Sequence, residues 1–147
     1  KYSLRRKKME KKFNYEQMYN DTIQDVFEDF QHVKGISEIC DSIKNKLKNK
    51  MEIGLKKYGE KSYQHNEHNF LTVNTIDHAK DEILDLINYL INCYMQSEYL
   101  IQTYKQKKYS EFKNIFYVLI MQSIYIFSKL EDPKMTSAFK DLLYLVK

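Results

Sequence analysis

The chain has 147 residues, 24 Lys and Arg against 20 Asp and Glu, three Gly, one Pro and two Cys. That length suits one domain with enough chain to bury a core, and 43% hydrophobic residues exclude wholesale disorder. The net charge of +4 is uneven: residues 1–12 hold seven basic residues and one acid, so the other 135 carry 17 basic and 19 acidic residues, a net −2.

We divide the chain into a basic tail, residues 1–12, and a single all-α domain, 13–147. The tail is compatible with nucleic acid, with anionic lipid, or with a solvated start of the first helix. The mildly acidic domain beneath it makes nucleic acid an unlikely partner apart from the tail. The first helix is expected over Tyr15–Val33, with Met18, Ile23, Val26, Phe27 and Phe30 inward and Gly35 as the breaker. A second is expected from an N-cap at Ser37 to Tyr58, buried through Ile39, Ile43, Leu47 and Met51 and closed by Gly59. Residues 59–71, GEKSYQHNEHNFL, read as a loop. A long third helix starts at an Asn74 cap and reaches Tyr104, with Leu84, Ile87, Ile91 and Tyr94 as its apolar seam. A fourth runs from about Ser110 to Leu130, and Pro133 starts a short fifth with Phe139, Leu142, Leu143 and Leu145 facing in. The architecture predicted is a helical bundle of about five helices around a long central one.

Several chemistries find no support. The most apolar run, Ile115 to Phe127, is shorter than the ~18 residues of a membrane span, so no membrane partner is expected. Cys40 and Cys93 belong to no metal-ligand spacing, and no signal peptide is visible. The expected setting is therefore intracellular and cytoplasmic. Loop histidines His65 and His68 lack further ligand spacing, and His78 stands one turn before Glu82.

The third helix carries the strongest signal. At 100° per residue, Asp81, Glu82, Asp85, Asn88 and Asn92 fall in one polar sector, joined by His78 and Tyr89. From Asp81 to Tyr104 there is no Lys or Arg. Acids at three-residue spacing repel unless something compensates. Glu82 and Asp85 could share one Mg²⁺, a hard cation suited to carboxylates, or the sector could pair with lysines such as Lys44, Lys48, Lys56 or Lys57, or be solvated. On the second helix Glu38, Asp41, Asn45 and Glu52 share a sector. Antiparallel packing across the loop would favour Glu52 as the opposing ligand, with Glu38 and Asp41 as weaker candidates.

The run Met51-Glu52-Ile53-Gly54-Leu55-Lys56-Lys57-Tyr58-Gly59, then a polar loop, then His78-Ala79-Lys80-Asp81-Glu82-Ile83-Leu84-Asp85-Leu86-Ile87-Asn88-Tyr89-Leu90, resembles the MazG-like all-α nucleotide pyrophosphatases, in their compact phage and viral form. The likeness covers roughly residues 45–95. It implies a helical fold in which carboxylates of two helices hold Mg²⁺ against a nucleoside triphosphate. The implied reaction releases a monophosphate and pyrophosphate, in a dimer or tetramer. By position, Glu82 and Asp85 match the metal pair and Lys57 and Tyr58 the K-Y-G element; Asn88, three residues beyond Asp85 on the same sector, could contact sugar or phosphate. Glu52 is the further catalytic and metal candidate, and Glu38 and Asp41 complete the candidate ligand set. The family's first motif, E-E-x-x-E, has no counterpart string; Glu38-x-x-Asp41 and Asp25-x-x-Glu28 come closest. The alternative from a different class is a non-enzymatic helical interaction protein that presents a groove, near the aromatic-rich Phe112–Phe127, to a partner helix.

Overall fold

A computed structural model describes residues 12–146. The basic tail lies outside the described residues except for Lys12. Six α-helices follow one another and no strand occurs among the described residues: α1 (Tyr15–Phe30), α2 (Cys40–Tyr58), α3 (Glu67–Thr72), α4 (Thr75–Tyr104), α5 (Tyr109–Leu130) and α6 (Pro133–Leu145). The fold is all-α with the 30-residue α4 as its longest element. No helix among the described residues is long and apolar enough to cross a membrane.

The chain forms two compact units, one ending at Val73 and one running from Asn74 to Leu145. In the first, the Asn14 side chain caps α1 by accepting from the Gln17 N–H at 3.0 Å. The helix stops at Phe30, earlier than expected, because Gln31–Ile36 form successive turns that place Gly35 at φ 85°. Ser37 is not an N-cap; it opens a 3₁₀ turn, Ser37–Ile39, that runs directly into α2 without a side-chain cap. Gly59 does close α2, at φ 52° and ψ −127°, a conformation natural only to glycine.

The expected loop 59–71 is more ordered than its polar composition suggests. A 3₁₀ turn, Gly59–Lys61, precedes α3, whose first turn is capped by Asn66 accepting from the Asn69 N–H at 2.8 Å. The Asn69 side chain then donates back to the carbonyls of Glu60 at 2.9 Å and Ser62 at 3.1 Å, tying α3 to the turn. Phe13, Tyr15, Tyr63 and Phe70 gather into an aromatic cluster with ring centroids 5.5 to 5.9 Å apart. Ile23, Cys40 and Met51 are the buried apolar residues of this unit. Met18, Val26, Phe30 and Ile39, expected inward, are exposed, because the helices carrying them make few contacts along those faces.

The second unit is an antiparallel hairpin of α4 and α5. Asn74 caps α4 by accepting from the Asp77 N–H at 3.1 Å, and Lys105 ends it in the left-handed region at φ 56°. One turn down α4 is matched by one turn up α5. Glu98 meets Lys113, the Tyr94 and Tyr117 rings lie 6.4 Å apart, and Lys80 bonds Glu131 at 3.0 Å. The most buried residues of the pair are serines, Ser97 and Ser123. Each turns its hydroxyl back to its own helix, Ser97 to the Cys93 carbonyl and Ser123 to the Leu119 carbonyl, both at 2.8 Å. Small, internally satisfied side chains let the two backbones approach closely.

The expected seam of α4 is therefore rotated. Ile83, Ile87, Leu90 and Tyr94 are half-buried around Ser97, whereas Leu84 and Ile91 are exposed. Asp132 caps α6, accepting from the Lys134 N–H at 2.8 Å, rather than any residue inside it. Phe139 and Leu145 of α6 are exposed and not inward, while Leu142 is half-buried.

Candidate functional site

The acidic sector of α4 points away from α5. Rotating the helix so that Ile83, Leu90 and Ser97 face its partner leaves Asp81, Glu82, Asp85, Asn88 and Asn92 on the far side, and all five are exposed. Tyr89 stands beside them at 69% exposure. Three other acids of this unit have cations: Asp77 has Lys80 at 3.9 Å, Glu131 shares the same lysine, and Glu98 has Lys113. The Lys113 hydrogen bond holds Glu98 below the usual carboxylate range and, reciprocally, raises Lys113. No ion pair among the described residues reaches Asp81, Glu82 or Asp85. The lysine deficit along α4 is thus made good by neighbouring residues for Asp77 and Glu98, and not for this strip. His78 is exposed one turn earlier on the same helix.

The other sequence candidates belong to the first unit. Glu52 is exposed on α2 and engages in no ion pair among the described residues. Lys57 and Tyr58 end the same helix, both exposed, with the Lys57 Nζ 5.3 Å from the Tyr58 ring centroid. Gly59 follows at once, so the turn that ends α2 sets this cation and ring at the helix terminus. Glu38 is exposed in the 3₁₀ turn, and Asp41 pairs with Lys44 at 3.3 Å. Glu82, Asp85 and Asn88 share one helix face; Glu52, Lys57 and Tyr58 share one helix.

Among the described residues no group of three or more His, Cys, Asp or Glu is gathered closely enough to hold a metal ion. His65 is exposed in the turn before α3 and His68 is exposed on it. Cys40 and Cys93 are free thiols.

A feature unforeseen in the sequence is a cleft of about 300 Å³ in the first unit, lined by Phe13, Tyr15, Glu16, Met51, Leu55 and Gln64. Tyr15 lies in it with its phenol pushed up to about 12, chiefly by burial and then by the neighbouring Tyr63. The cleft depends on the start of α1, on α2 and on the turn before α3 coming together, so no spacing along the chain announces it.

No family model matches the chain, and neither does any curated protein or solved structure.

Proposed function

We propose that the chain hydrolyses a nucleoside triphosphate to its monophosphate and pyrophosphate with Mg²⁺, as a MazG-like enzyme or a divergent relative of one. The observation that carries this reading is the unpaired, exposed strip of Asp81, Glu82 and Asp85 with Asn88 and Asn92 beside it on α4. Two carboxylates suit the ion proposed, because Mg²⁺ keeps several waters and commonly takes one or two carboxylates plus substrate phosphates instead of a full protein cage. When bound, the ion neutralises phosphate charge and lowers the pKa of a coordinated water. Glu82 and Asp85 bind it, and Asn88 offers its amide to sugar or phosphate oxygens from the same face. By the resemblance, Lys57 would supply a positive charge for phosphate and the Tyr58 ring a surface for base or ribose. Glu52 would by the same resemblance be the further ligand or the base for the attacking water, with Glu38 and Asp41 as weaker candidates.

Incubation with Mg²⁺ and a panel of NTPs and dNTPs is expected to release pyrophosphate. Glu82→Ala and Asp85→Asn are each expected to cut turnover by more than the ~10–100-fold typical of a residue that merely supports a metal ligand. Helicity should be unchanged, since both side chains are exposed. No turnover of any nucleotide, together with no Mg²⁺-dependent rise in Tm, would refute the reading.

A second function, a helical interaction protein offering a groove to a partner helix, is favoured by a different observation. The outer side of α5 carries a shallow groove of about 520 Å³ bordered by Tyr117, Val118, Met121, Gln122, Tyr125 and Ile126.

A further inference from the structure

The cleft of the first unit holds a buried acceptor with nothing to accept. Gln64 lines it and is only 7% exposed, and the Gln64 Oε1 is buried without a hydrogen-bond partner. Such an atom has left water and gained no donor in exchange, which is costly. The rest of Gln64 is accounted for. Its backbone N–H donates to the Ser62 hydroxyl at 3.0 Å. Its amide lies against the Tyr15 phenol, where hydrogen bonding opposes the larger effect of burial on that group. An amide that donates to the phenol leaves its oxygen for another partner. Asn69 holds this segment from the side of α3, donating to the carbonyls of Glu60 and Ser62. The acceptor is therefore fixed in place before any ligand arrives.

The neighbouring groups decide what kind of donor fits. Phe13 and Tyr15 bring two aromatic rings, and Met51 and Leu55 an apolar wall. Glu16 adds a carboxylate that engages in no ion pair among the described residues. Asn14 and His65 complete the rim, but the Asn14 oxygen is already used in capping α1. Among the described residues no Lys or Arg lines the cleft. An anion entering it meets a carboxylate and a carbonyl oxygen with no opposite charge. An ammonium group supplies the missing donor to Oε1 and is attracted by the carboxylate and by the ring faces. At ~30 Å³ per liquid water, the cleft's 300 Å³ equals about ten waters, room for a ligand of roughly ten non-hydrogen atoms. We infer that the cleft binds a small organic amine as its ammonium ion, the charged end toward Gln64 and Glu16 and an apolar stem along Met51 and Leu55. This site does not rest on the hydrolase reading; it uses neither Glu82 nor Asp85 and is read without nucleotide.

The test is titration of the isotope-labelled full chain with benzylamine, benzyl alcohol and benzoate, followed by amide NMR. Benzylamine is expected to saturate, with shifts at Tyr15, Glu16 and the Gln64 side-chain amide. Benzyl alcohol, of the same shape without the charge, should bind ~10-fold more weakly, and benzoate should not bind. Gln64→Met keeps the length of the side chain and removes the acceptor, so benzylamine should bind ~10–100-fold more weakly. Glu16→Gln, at an exposed position, should weaken it ~2–5-fold. Circular dichroism should show unchanged helicity in both variants; if Gln64→Met fails to fold, the ligand series and Glu16→Gln still decide. Nα-acetyl-lysine amide separates a free amine from a lysine of a peptide: weaker binding than benzylamine supports the free amine, and tighter binding overturns it. No saturable binding, benzoate binding as tightly as benzylamine, or shifts confined to the acids of α4 overturns the site itself.

Discussion

Tyr15 and the two buried serines show how individual side chains set the properties of each unit. Tyr15 ionises late because burial disfavours its phenolate, and Tyr63 adds to this. Its folded value, about 12, lies above the 10.0 of an ordinary tyrosine, so the native state keeps a proton that the unfolded chain releases. This contribution to stability is intact below the unfolded value and lost as pH rises from about 10 toward 12. Urea unfolding at stepped alkaline pH should show that loss, and Tyr15→Phe should flatten it; an unchanged slope would contradict the burial argument. Tyr19 shifts in the same direction for the same leading cause. Ser97 and Ser123 act through size. Either Ser→Leu change is expected to cost about 1–3 kcal/mol by overpacking the α4–α5 contact. Ser→Ala should cost no more than about 1 kcal/mol, since each hydroxyl serves only its own helix. Equal effects of Leu and Ala in thermal unfolding would exclude close helix approach as the reason for serine there.

At the scale of elements, helix ends were the most legible part of the chain. Asn74, Gly59 and Pro133 each mark a boundary for a local reason: an amide accepting from the first turn, a positive φ, and a missing N–H. Residues 59–71 hold a short helix where the sequence suggests a loop, because Asn66 and Asn69 are loop-favouring residues put to other use. One caps a short helix, and the other bonds carbonyls seven and nine positions away. The inward faces depart from the expected ones for another reason. Periodicity locates an apolar sector to within a quarter turn, and the partner helix chooses the centre of it. On α4, the buried Ser97 moved the seam off Leu84 and Ile91. Two terminators make a paired prediction. Gly59 has φ 52° with open space around a hypothetical Cβ, so Gly59→Ala should cost about 1–3 kcal/mol from backbone strain alone. Lys105 holds φ 56° without being glycine, so Lys105→Gly should stabilise by about 0.5–1 kcal/mol. Denaturant midpoints of the two variants check both signs.

For the whole molecule, the limiting fact is how little is deeply buried. Length and composition lead to the expectation of a substantial core, yet among the described residues the buried apolar ones are Ile23, Cys40 and Met51, and no large side chain is fully enclosed. Twenty-two residues of α5 place apolar groups on all sides, a pattern that gains stability only when another surface covers it.

The candidate site divides along the same line. That Glu82, Asp85 and Asn88 share one face follows from residue spacing alone, because 3.6 residues per turn is a local constraint of the backbone. The absence of Lys and Arg from Asp81 to Tyr104 could likewise be read directly. Which of those acids stay unpaired could not: Lys113 reaches Glu98 from the other arm of the hairpin, and Lys80 ties Asp77 to Glu131 across it. The cleft around Tyr15 and the outward face of α5 belong to the same class. Local chain chemistry determined that this protein is helical, where most helices begin and end, and which acids align. Only the tertiary structure decided which faces are covered, because burial depends on partners distant in sequence.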